Sequence, residues 1–366
     1  MNKYILLQEI LKKMHDQQDK YPLIHDVPTP FTLVEEIIDS ITLTSSDTIL
    51  TFNLEFAIAL IHKYNVEPKR ITIFADFCPT TETFAAKLGI NYIDAWNYNM
   101  RFDVVFANPP YQDPDKPRHK LWTKFLCDAL DVSDTVAMIT PKAASLLLNG
   151  LEFDHKKLDR SQFNLAYYNG YDIDEHFKGV GSDFCSFILT KEQSDTFNMV
   201  TENGIEQWQQ NAFIPYAPCK ILASIIHKNM NFANEYGRRA SRVNEDPNGN
   251  IDCIKTIKAA GPEWVKASSR HPDTDKPKIL LPTLGSGYYL NAEGGVMPTT
   301  SFVTYITTDT VDDLNEVVDL LNDQVFKFLV DAFGSMRSSR DFVLKSLRKE
   351  RIPLTQEEIE YVEANV

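Results

Sequence analysis

The chain has 366 residues and a formal net charge of −14, from 37 basic and 51 acidic side chains. Its length suffices for about two domains, and its composition, 43% hydrophobic and 24% charged, is that of a globular protein without the roughly 18 consecutive apolar residues of a membrane span. Five scattered cysteines without a Cys-x-x-Cys pair argue against a zinc site or a disulfide framework, and the negative charge excludes a protein that coats nucleic acid with a generally basic surface.

The first half of the chain alternates between helical segments and short apolar runs. Residues 1–20 predict an amphipathic N-terminal helix, and a second helix is predicted from Leu33 to about Ser40. Further elements are predicted, in chain order, at Thr48–Phe52 (strand), Glu55–Tyr64 (helix), Arg70–Ala75 (strand), Thr80–Leu88 (helix), Asn91–Ile93 (strand), Phe102–Ala107 (strand), Leu121–Leu130 (helix), Thr135–Ile139 (strand) and Ala143–Leu148 (helix). This alternation is typical of an α/β fold with a doubly wound parallel sheet. Because ligands bind beyond the carboxyl ends of the strands in such sheets, the residues that follow each strand are the candidates for chemistry.

The pattern changes beyond about residue 190. The remaining part mixes short β-type runs with one long predicted helix, Val311–Phe328, and several Gly and Pro turns. We therefore expect three parts: an N-terminal helix (1–20), a doubly wound domain (21–192) and a second, α+β domain (193–366).

The most informative segment is Asn-Pro-Pro-Tyr at 108–111, directly after the predicted strand Phe102–Ala107. Consecutive prolines hold the backbone extended and bring no N–H of their own. The amide oxygen of Asn108 and the carbonyl oxygen of Pro109 can then accept both protons of one exocyclic amino group, which directs the nitrogen lone pair outward as a nucleophile. Tyr111 adds an aromatic face on which a base can stack. The segment predicts a receptor for a nucleobase amino group, against the plainer alternative of a turn that ends a strand.

This segment resembles the signature of the S-adenosylmethionine-dependent amino-methyltransferases that modify adenine N6, or less often cytosine N4, in DNA. The resemblance covers roughly residues 20–190, about half of the chain. It implies a Rossmann-like methyltransferase sheet, S-adenosyl-L-methionine as cofactor and double-stranded DNA as partner. It also implies methyl transfer to an adenine flipped out of the duplex.

The resemblance implies roles for individual residues. The catalytic segment is Asn108, Pro109, Pro110 and Tyr111, and the base stacks on Tyr111 together with Phe177 or Phe184, between which the sequence does not decide. The implied cofactor-binding residues are Pro28, Thr29, Asn53, Glu55, Asp76, Phe77 and Asp94.

One feature departs from the family. The first cofactor loop is normally glycine-rich, whereas residues 49–56 contain no glycine. We expect Asn53 to be the residue that adopts positive φ in this turn. Glu55 is expected to accept from the cofactor's ammonium group, or simply to lie in the first turn of a helix. The departure leaves two readings: a methyltransferase with a diverged loop, or a scaffold that has lost methyl transfer.

The second domain carries the predicted DNA contacts. Residues 220–278 contain eleven Lys and Arg against seven acids, a local charge of +4. Arg238, Arg239 and Arg242 are predicted to contact phosphates or guanine, as are Arg337 and Arg340 in a second cluster. An ordinary solvated basic face is the alternative.

Other functions stay open at this point. The pocket would also fit cytosine N4, an RNA base or a protein side-chain amide, and a catalytically inactive DNA-binding module is the alternative from a different class. We expect no metal and no membrane association. A cognate restriction endonuclease would be a further partner, in the cytoplasm of a bacterial or bacteriophage-infected cell.

Overall fold

The structure is a computed structural model that describes residues 3–15, 29–75, 79–112, 120–153, 156–159, 161–171, 183–215, 219–240, 242–258, 260–282, 288–299, 303–333 and 339–366. The chain divides into two compact units, unit 1 (Met1–Pro218) and unit 2 (Cys219–Val366).

Unit 1 is built on a nine-stranded sheet. Its strands are β1 (Ile49–Thr51), β2 (Ile71–Phe74), β3 (Asn91–Ile93), β4 (Phe102–Ala107), β5 (Ser133–Pro141), β8 (Asn164–Tyr171), β9 (Phe184–Thr190), β10 (Thr196–Thr201) and β11 (Gly204–Gln209), while β6 (Glu152–Phe153) and β7 (Lys156–Lys157) form a separate ladder. The spatial order is β11-β10-β8-β9-β5-β4-β1-β2-β3. Strands β5, β4, β1, β2 and β3 run parallel, which confirms the predicted doubly wound α/β fold.

The order of the parallel strands places a ligand-binding crevice. From β1 the chain adds β2 and β3 on one side, and from β4 it adds β5 on the other. The direction of winding therefore reverses between the neighbouring strands β1 and β4. In doubly wound sheets, ligands bind at the carboxyl ends of the strands beside such a reversal.

Six α-helices are described in unit 1. They are α1 (Lys3–His15), α2 (Phe31–Asp39), α3 (Leu54–His62), α4 (Pro79–Leu88), α5 (Leu121–Val132) and α6 (Ala144–Leu148). Every residue of α3 from Leu54 to Leu60 is buried. A helix that is apolar all round is expected to lie inside a fold, and α3 packs against α1, α2 and the sheet.

The pairing of β1 with β4 is fixed at the amino ends of both strands. The carboxylate of Asp103 accepts hydrogen bonds from the backbone N–H and the hydroxyl of Thr48, at 2.7 and 2.8 Å. These bonds lower the pKa of Asp103. The register set in this way pairs Ile49 with Val104, so the opposite, carboxyl ends of the two strands also lie side by side.

Unit 1 extends further along the chain than the predicted boundary at 192/193. Strands β10 and β11 form a hairpin, and β10 pairs with β8 in the main sheet, for example Asn198 with Tyr167. The polar stretch that suggested a domain boundary is a connection within the sheet, and the division lies at Pro218.

Unit 2 is an α+β unit with two small sheets. Its strands are β12 (Ile251–Lys258), β13 (Gly261–Ala267), β14 (Lys278–Pro282), β15 (Tyr289–Asn291), β16 (Met297–Pro298) and β17 (Val303–Thr307), and its helices are α7 (Lys220–Asn229), α8 (Val311–Asn322), α9 (Gln324–Ala332), α10 (Ser339–Ser346) and α11 (Gln356–Ala364). The sheet orders are β13-β12-β16 and β15-β14-β17.

The long helix predicted at Val311–Phe328 is two helices. Asp323 has extended ψ of 138°, and its side chain accepts from the N–H of Phe326. It therefore ends α8 and caps α9, a role that periodicity alone does not reveal. None of the described helices of the chain is long and apolar enough to cross a membrane.

Candidate functional site

Asn53 and Asn108 lie side by side at the carboxyl ends of β1 and β4. The Nδ2 group of Asn53 donates to the carbonyl oxygen of Asn108 at 3.1 Å, and its Oδ1 accepts from the backbone N–H of Asn108 at 2.7 Å. One side chain thus holds both backbone groups of Asn108, at the point where the sheet changes its direction of winding. We call this pair of hydrogen bonds the Asn53 clamp.

Thr29 and Glu55 complete a buried polar network around Asn108. The Nδ2 group of Asn108 donates to Thr29 Oγ1 at 3.0 Å, and the backbone N–H of Thr29 donates to Glu55 Oε1 at 3.1 Å. The four residues are nearly inaccessible to solvent, with exposed fractions of 2% for Thr29 and Asn53, 4% for Glu55 and 7% for Asn108. Buried polar groups that are mutually hydrogen-bonded hold one geometry, since each lost bond costs about 1–3 kcal/mol. Four residues singled out from the sequence therefore lie together.

The backbone conformation of the glycine-free loop differs from the predicted one. Asn53 has φ of −126° and ψ of 137°, an extended conformation, so the expectation of positive φ was wrong. The turn needs no left-handed residue because Asn53 stands at the N-cap position of α3, and its amide is used for the clamp. Thr51 supports the same turn, since its hydroxyl donates to the carbonyl oxygen of Asn53 and accepts from its N–H.

Phe52, in the same loop, belongs to a cluster of aromatic rings. Its ring centroid lies 5.4 Å from Phe74, 5.7 Å from Trp96 and 5.3 Å from Phe125. Phe52 follows β1, Phe74 ends β2 and Trp96 comes soon after β3, so three neighbouring parallel strands each contribute a ring at the carboxyl edge. Trp96 is also stacked on the exposed Tyr98, with 10° between the ring planes. Sequence reasoning missed Trp96 and Tyr98, although their position just after a strand was the available signal.

The other predicted cofactor residues are only partly described. Asp94 directly follows β3 and its side chain is exposed. Pro28, Asp76 and Phe77 lie outside the described residues. Glu55 is buried and accepts from Thr29, so one of its oxygens is used inside the protein.

Tyr111 and Phe184, two of the predicted stacking residues, differ in accessibility. Tyr111 is partly exposed, while its hydroxyl oxygen is buried and has no hydrogen-bond partner among the described residues. Burial raises the pKa of this hydroxyl, with a smaller contribution from the thiol of Cys185. Phe184 is buried and stacks on Tyr171, with ring centroids 4.7 Å apart. In this position it presents no free face to a base, and Phe177 lies outside the described residues.

The predicted DNA-contacting arginines of unit 2 fall into two groups. Arg238 and Arg340 have exposed fractions of 3% and 8%, and they donate to Thr304 Oγ1 and, at 2.6 Å, to the carbonyl oxygen of Pro282. Burial, together with the charge of Arg340, lowers the pKa of Arg238 to about 9, and burial lowers the pKa of Arg340 to about 10. This placement argues against a direct phosphate contact for either residue.

Arg239 and Arg242 are the exposed members of the set. Arg239 is ion-paired with Asp273 at 2.5 Å, and Arg242 is exposed. Arg337 lies outside the described residues. Within the described part of the chain, no group of three or more His, Cys, Asp or Glu side chains is arranged to hold a metal ion.

Comparisons with known proteins give weak structural similarities. No family model and no curated protein matches the sequence. The type IIG restriction endonuclease BpuSI is 12% identical, with a TM-score of 0.45 over 97% of this chain and 63% of that one. A structure of the type I restriction–modification system is 12% identical, with a TM-score of 0.41 over 62% of this chain and 54% of that one. The 23S rRNA methyltransferase ErmE is 12% identical, with a TM-score of 0.32 over 47% of this chain and 70% of that one. The chain thus spans less than two thirds of BpuSI, and the fold is defined by its own strand order and pairing.

Proposed function

We propose that the chain is an S-adenosylmethionine-dependent DNA methyltransferase that modifies the N6 amino group of a flipped-out adenine. The observation that carries this proposal is the carboxamide of Asn108, held in a buried network at the switch point of a doubly wound sheet. The resemblance of residues 108–111 to the amino-methyltransferase signature supplies the substrate class.

Asn108 and Pro109 would act on the amino group by accepting its protons. The Nδ2 group of Asn108 donates to Thr29, and its Oδ1 accepts no hydrogen bond from the described residues. Oδ1 and the carbonyl oxygen of Pro109 can then receive the two N–H groups, so that the nitrogen lone pair would attack the donated methyl group. The carbon–sulfur bond of the donor would break as the carbon–nitrogen bond forms, and the methylated nitrogen would release one proton. No general base is needed before the attack, so the rate depends on alignment and on these fixed acceptors.

The residues at the carboxyl edge fit an adenosine-containing cofactor. The exposed carboxylate of Asp94 can accept from amino or hydroxyl groups, and it lies two residues before Trp96, whose ring stacks on Phe74 and Tyr98. Asp76, Phe77 and Pro28 remain proposed contacts on the strength of the resemblance. The bound cofactor supplies an electrophilic methyl group on its sulfonium. Glu55 and Asn53 would act indirectly, because they hold Thr29 and Asn108.

The target base must leave the duplex to reach this buried site, at a cost of a few kcal/mol. We propose Tyr111 as the ring on which the base stacks, since Phe184 is covered by Tyr171. Arg239, Arg242 and Arg337 remain the proposed DNA contacts in unit 2. A cognate restriction endonuclease would be the corresponding partner in the cell.

Two alternatives remain in view. Cytosine N4 would fit the same pair of acceptors. A catalytically inactive DNA-binding module is favoured by one observation, namely that the loop after β1 places the ring of Phe52 within an aromatic cluster instead of leaving glycine-lined space.

Nucleoside analysis separates these functions. DNA incubated with the protein and S-adenosylmethionine is digested, and N6-methyladenine is expected, whereas N4-methylcytosine would establish the cytosine alternative. Calorimetry with S-adenosylmethionine, in the presence and absence of DNA, addresses the inactive module. Absence of binding under both conditions, together with unmodified DNA, would overturn the proposal.

A further inference from the structure

We propose that Thr29 is a positioning residue that determines which end of the Asn108 carboxamide faces the substrate. This inference rests on the proposed function, since it concerns how Asn108 accepts an amino group. It assigns to Thr29 a role different from the cofactor contact that the family resemblance implies.

The backbone of Asn108 is already fixed by other residues. The Asn53 clamp holds its N–H and its carbonyl oxygen, and Pro109 restricts the conformation of Asn108 from the other side. The carboxamide can still rotate by half a turn about the Cβ–Cγ bond of Asn108. This rotation exchanges Oδ1 with Nδ2 at almost no change in shape.

The two ends of the carboxamide have opposite effects on the proposed reaction. With Oδ1 toward the substrate, Asn108 accepts from the amino group. With Nδ2 in that place, two N–H donors would face each other, and the amino lone pair would be drawn toward Asn108 and away from the methyl donor. A single rotation therefore separates a productive site from an unproductive one.

Thr29 and Glu55 bias this rotation together, because a threonine hydroxyl alone can either accept from Nδ2 or donate to Oδ1. Thr29 Oγ1 accepts from Nδ2 at 3.0 Å, and the Thr29 N–H donates to Glu55 Oε1 at 3.1 Å. A buried carboxylate beside Thr29 attracts the positive N–H end of the amide dipole and repels its oxygen. Because these groups are almost fully buried, the electrostatic preference is stronger than it would be in water.

Thr29 is itself held in place through α2, which begins two residues later. Glu36 of α2 accepts hydrogen bonds at Oε1 from the hydroxyl of Tyr167 at 2.6 Å, from Asn169 Nδ2 at 2.7 Å and from the hydroxyl of Tyr171 at 2.5 Å. Three donors from β8 thus anchor the helix that follows Thr29. The contacts between α2 and β8 therefore fix the position of the Thr29 hydroxyl beside Asn108.

The test compares Thr29→Val, which keeps the branched shape without the hydroxyl, with Thr29→Ser, which keeps the hydroxyl. For Thr29→Val we expect kcat to fall by about 10- to 100-fold, while KM for DNA and Kd for S-adenosylmethionine change less than about threefold. Thr29→Ser should stay within about threefold of the wild-type kcat. Thr72→Val, at a buried threonine of β2 that takes no part in the hydrogen-bonded network around Asn108, is the matched control and should leave kcat unchanged.

A second background distinguishes orientation from general packing. In Asn108→Asp both side-chain ends are acceptor oxygens, so the half-turn no longer matters. Adding Thr29→Val to Asn108→Asp should lower kcat by less than about twofold, whereas a purely structural role of Thr29 predicts the same loss in both backgrounds. If Thr29→Val does not fold, as judged by thermal unfolding, Thr29→Ala takes its place.

The outcomes are distinct. Wild-type kcat in Thr29→Val, or equal losses in Thr29→Val and Thr29→Ser, would overturn the positioning role while leaving the methyltransferase proposal standing. A folded wild-type protein that binds DNA but transfers no methyl group would overturn the proposed function itself, and this inference with it.

Discussion

The polar network of unit 1 and the arginine clusters of unit 2 differ in where the structure places the residues that were named from the sequence. At the carboxyl ends of β1 and β4, Asn53, Asn108 and neighbouring residues form one hydrogen-bonded network. In unit 2, Arg238 and Arg340 are buried and bonded to neutral oxygens of their own unit. The first set was selected by a motif at a strand end, the second by local charge. The contrast shows that residues chosen by their position at strand ends lie together in the fold, whereas two of the residues chosen by local charge are buried within their own unit.

The largest expected effect is at Asn108. Asn108→Ala removes one of the two proposed acceptors, and we expect methyl transfer to fall at least about 10³-fold while S-adenosylmethionine binding stays within a few-fold. Single-turnover transfer and calorimetry measure the two quantities. Methyl transfer at the wild-type rate would contradict the proposed role of Asn108 as an acceptor. Equal loss of methyl transfer and of S-adenosylmethionine binding would indicate a folding defect instead.

Unit 2 contains a buried carboxylate, Glu358, whose contribution to stability is expected to depend on pH. Burial would raise the pKa of Glu358, but hydrogen bonds from Lys228 and Ser224 of α7 and from Thr355 at the start of α11 outweigh it and lower the pKa to about 2. A carboxylate with a lowered folded-state pKa stabilises the fold above its unfolded pKa. Its contribution, about 3 kcal/mol, should be complete above about pH 4.5 and be lost as the pH falls toward 2.

Glu358→Gln tests this stabilisation directly. Denaturant unfolding of the full chain across pH 2–6 should show a smaller loss of stability on acidification in the variant than in the wild type. Identical pH dependence of the two proteins would show that the Glu358 contacts between α7 and α11 contribute little.

Arg238 and Arg242, four positions apart, provide a matched pair. Arg238→Ala removes a buried hydrogen-bonded side chain and should lower the free energy of unfolding by about 2 kcal/mol, whereas Arg242→Ala should stay within about 0.5 kcal/mol of wild type. Equilibrium unfolding monitored on both variants gives the difference. Equal stabilities would mean that Arg238 is not the structural residue that its burial indicates.

The smallest expected effect concerns DNA affinity. Arg242→Ala should weaken DNA binding by only a few-fold and reduce the slope of log K against log salt by about one, as for loss of a single phosphate contact. Fluorescence anisotropy with a labelled duplex at several salt concentrations measures both quantities. An unchanged slope would remove Arg242 from the proposed interface.

Sequence reasoning predicted the fold of unit 1 in some detail. The segments Asn91–Ile93 and Phe102–Ala107 are strands with the predicted bounds, because their β-branched and aromatic residues and their place in the alternation with helices favour strands. The break at Asp323 and the continuation of the sheet into β10 and β11 were missed, since a cap and a strand pairing depend on contacts that periodicity does not encode.

The sequence brought forward the four residues of the buried network, but it did not predict the contacts between them. Asn108, Asn53, Thr29 and Glu55 were all named from the sequence, yet their mutual hydrogen bonds span up to 79 positions and were not foreseen. Asn53 was expected to adopt positive φ, but its backbone is extended and its side chain holds Asn108. The burial of Arg238 could not be read from residue type, because arginine is mostly exposed. The stacking of Phe184 on Tyr171 depends on the pairing of β8 with β9, which periodicity does not encode.

The most direct test of the central claim, that the Asn108 network makes this chain an adenine methyltransferase, is methylation-sensitive sequencing of DNA from cells that produce either the wild-type chain or Asn108→Ala. We predict N6-methyladenine at one discrete sequence in the wild-type sample and its absence in the variant sample. Unmodified DNA in cells with folded wild-type protein, or the same methylation in both samples, would contradict the claim.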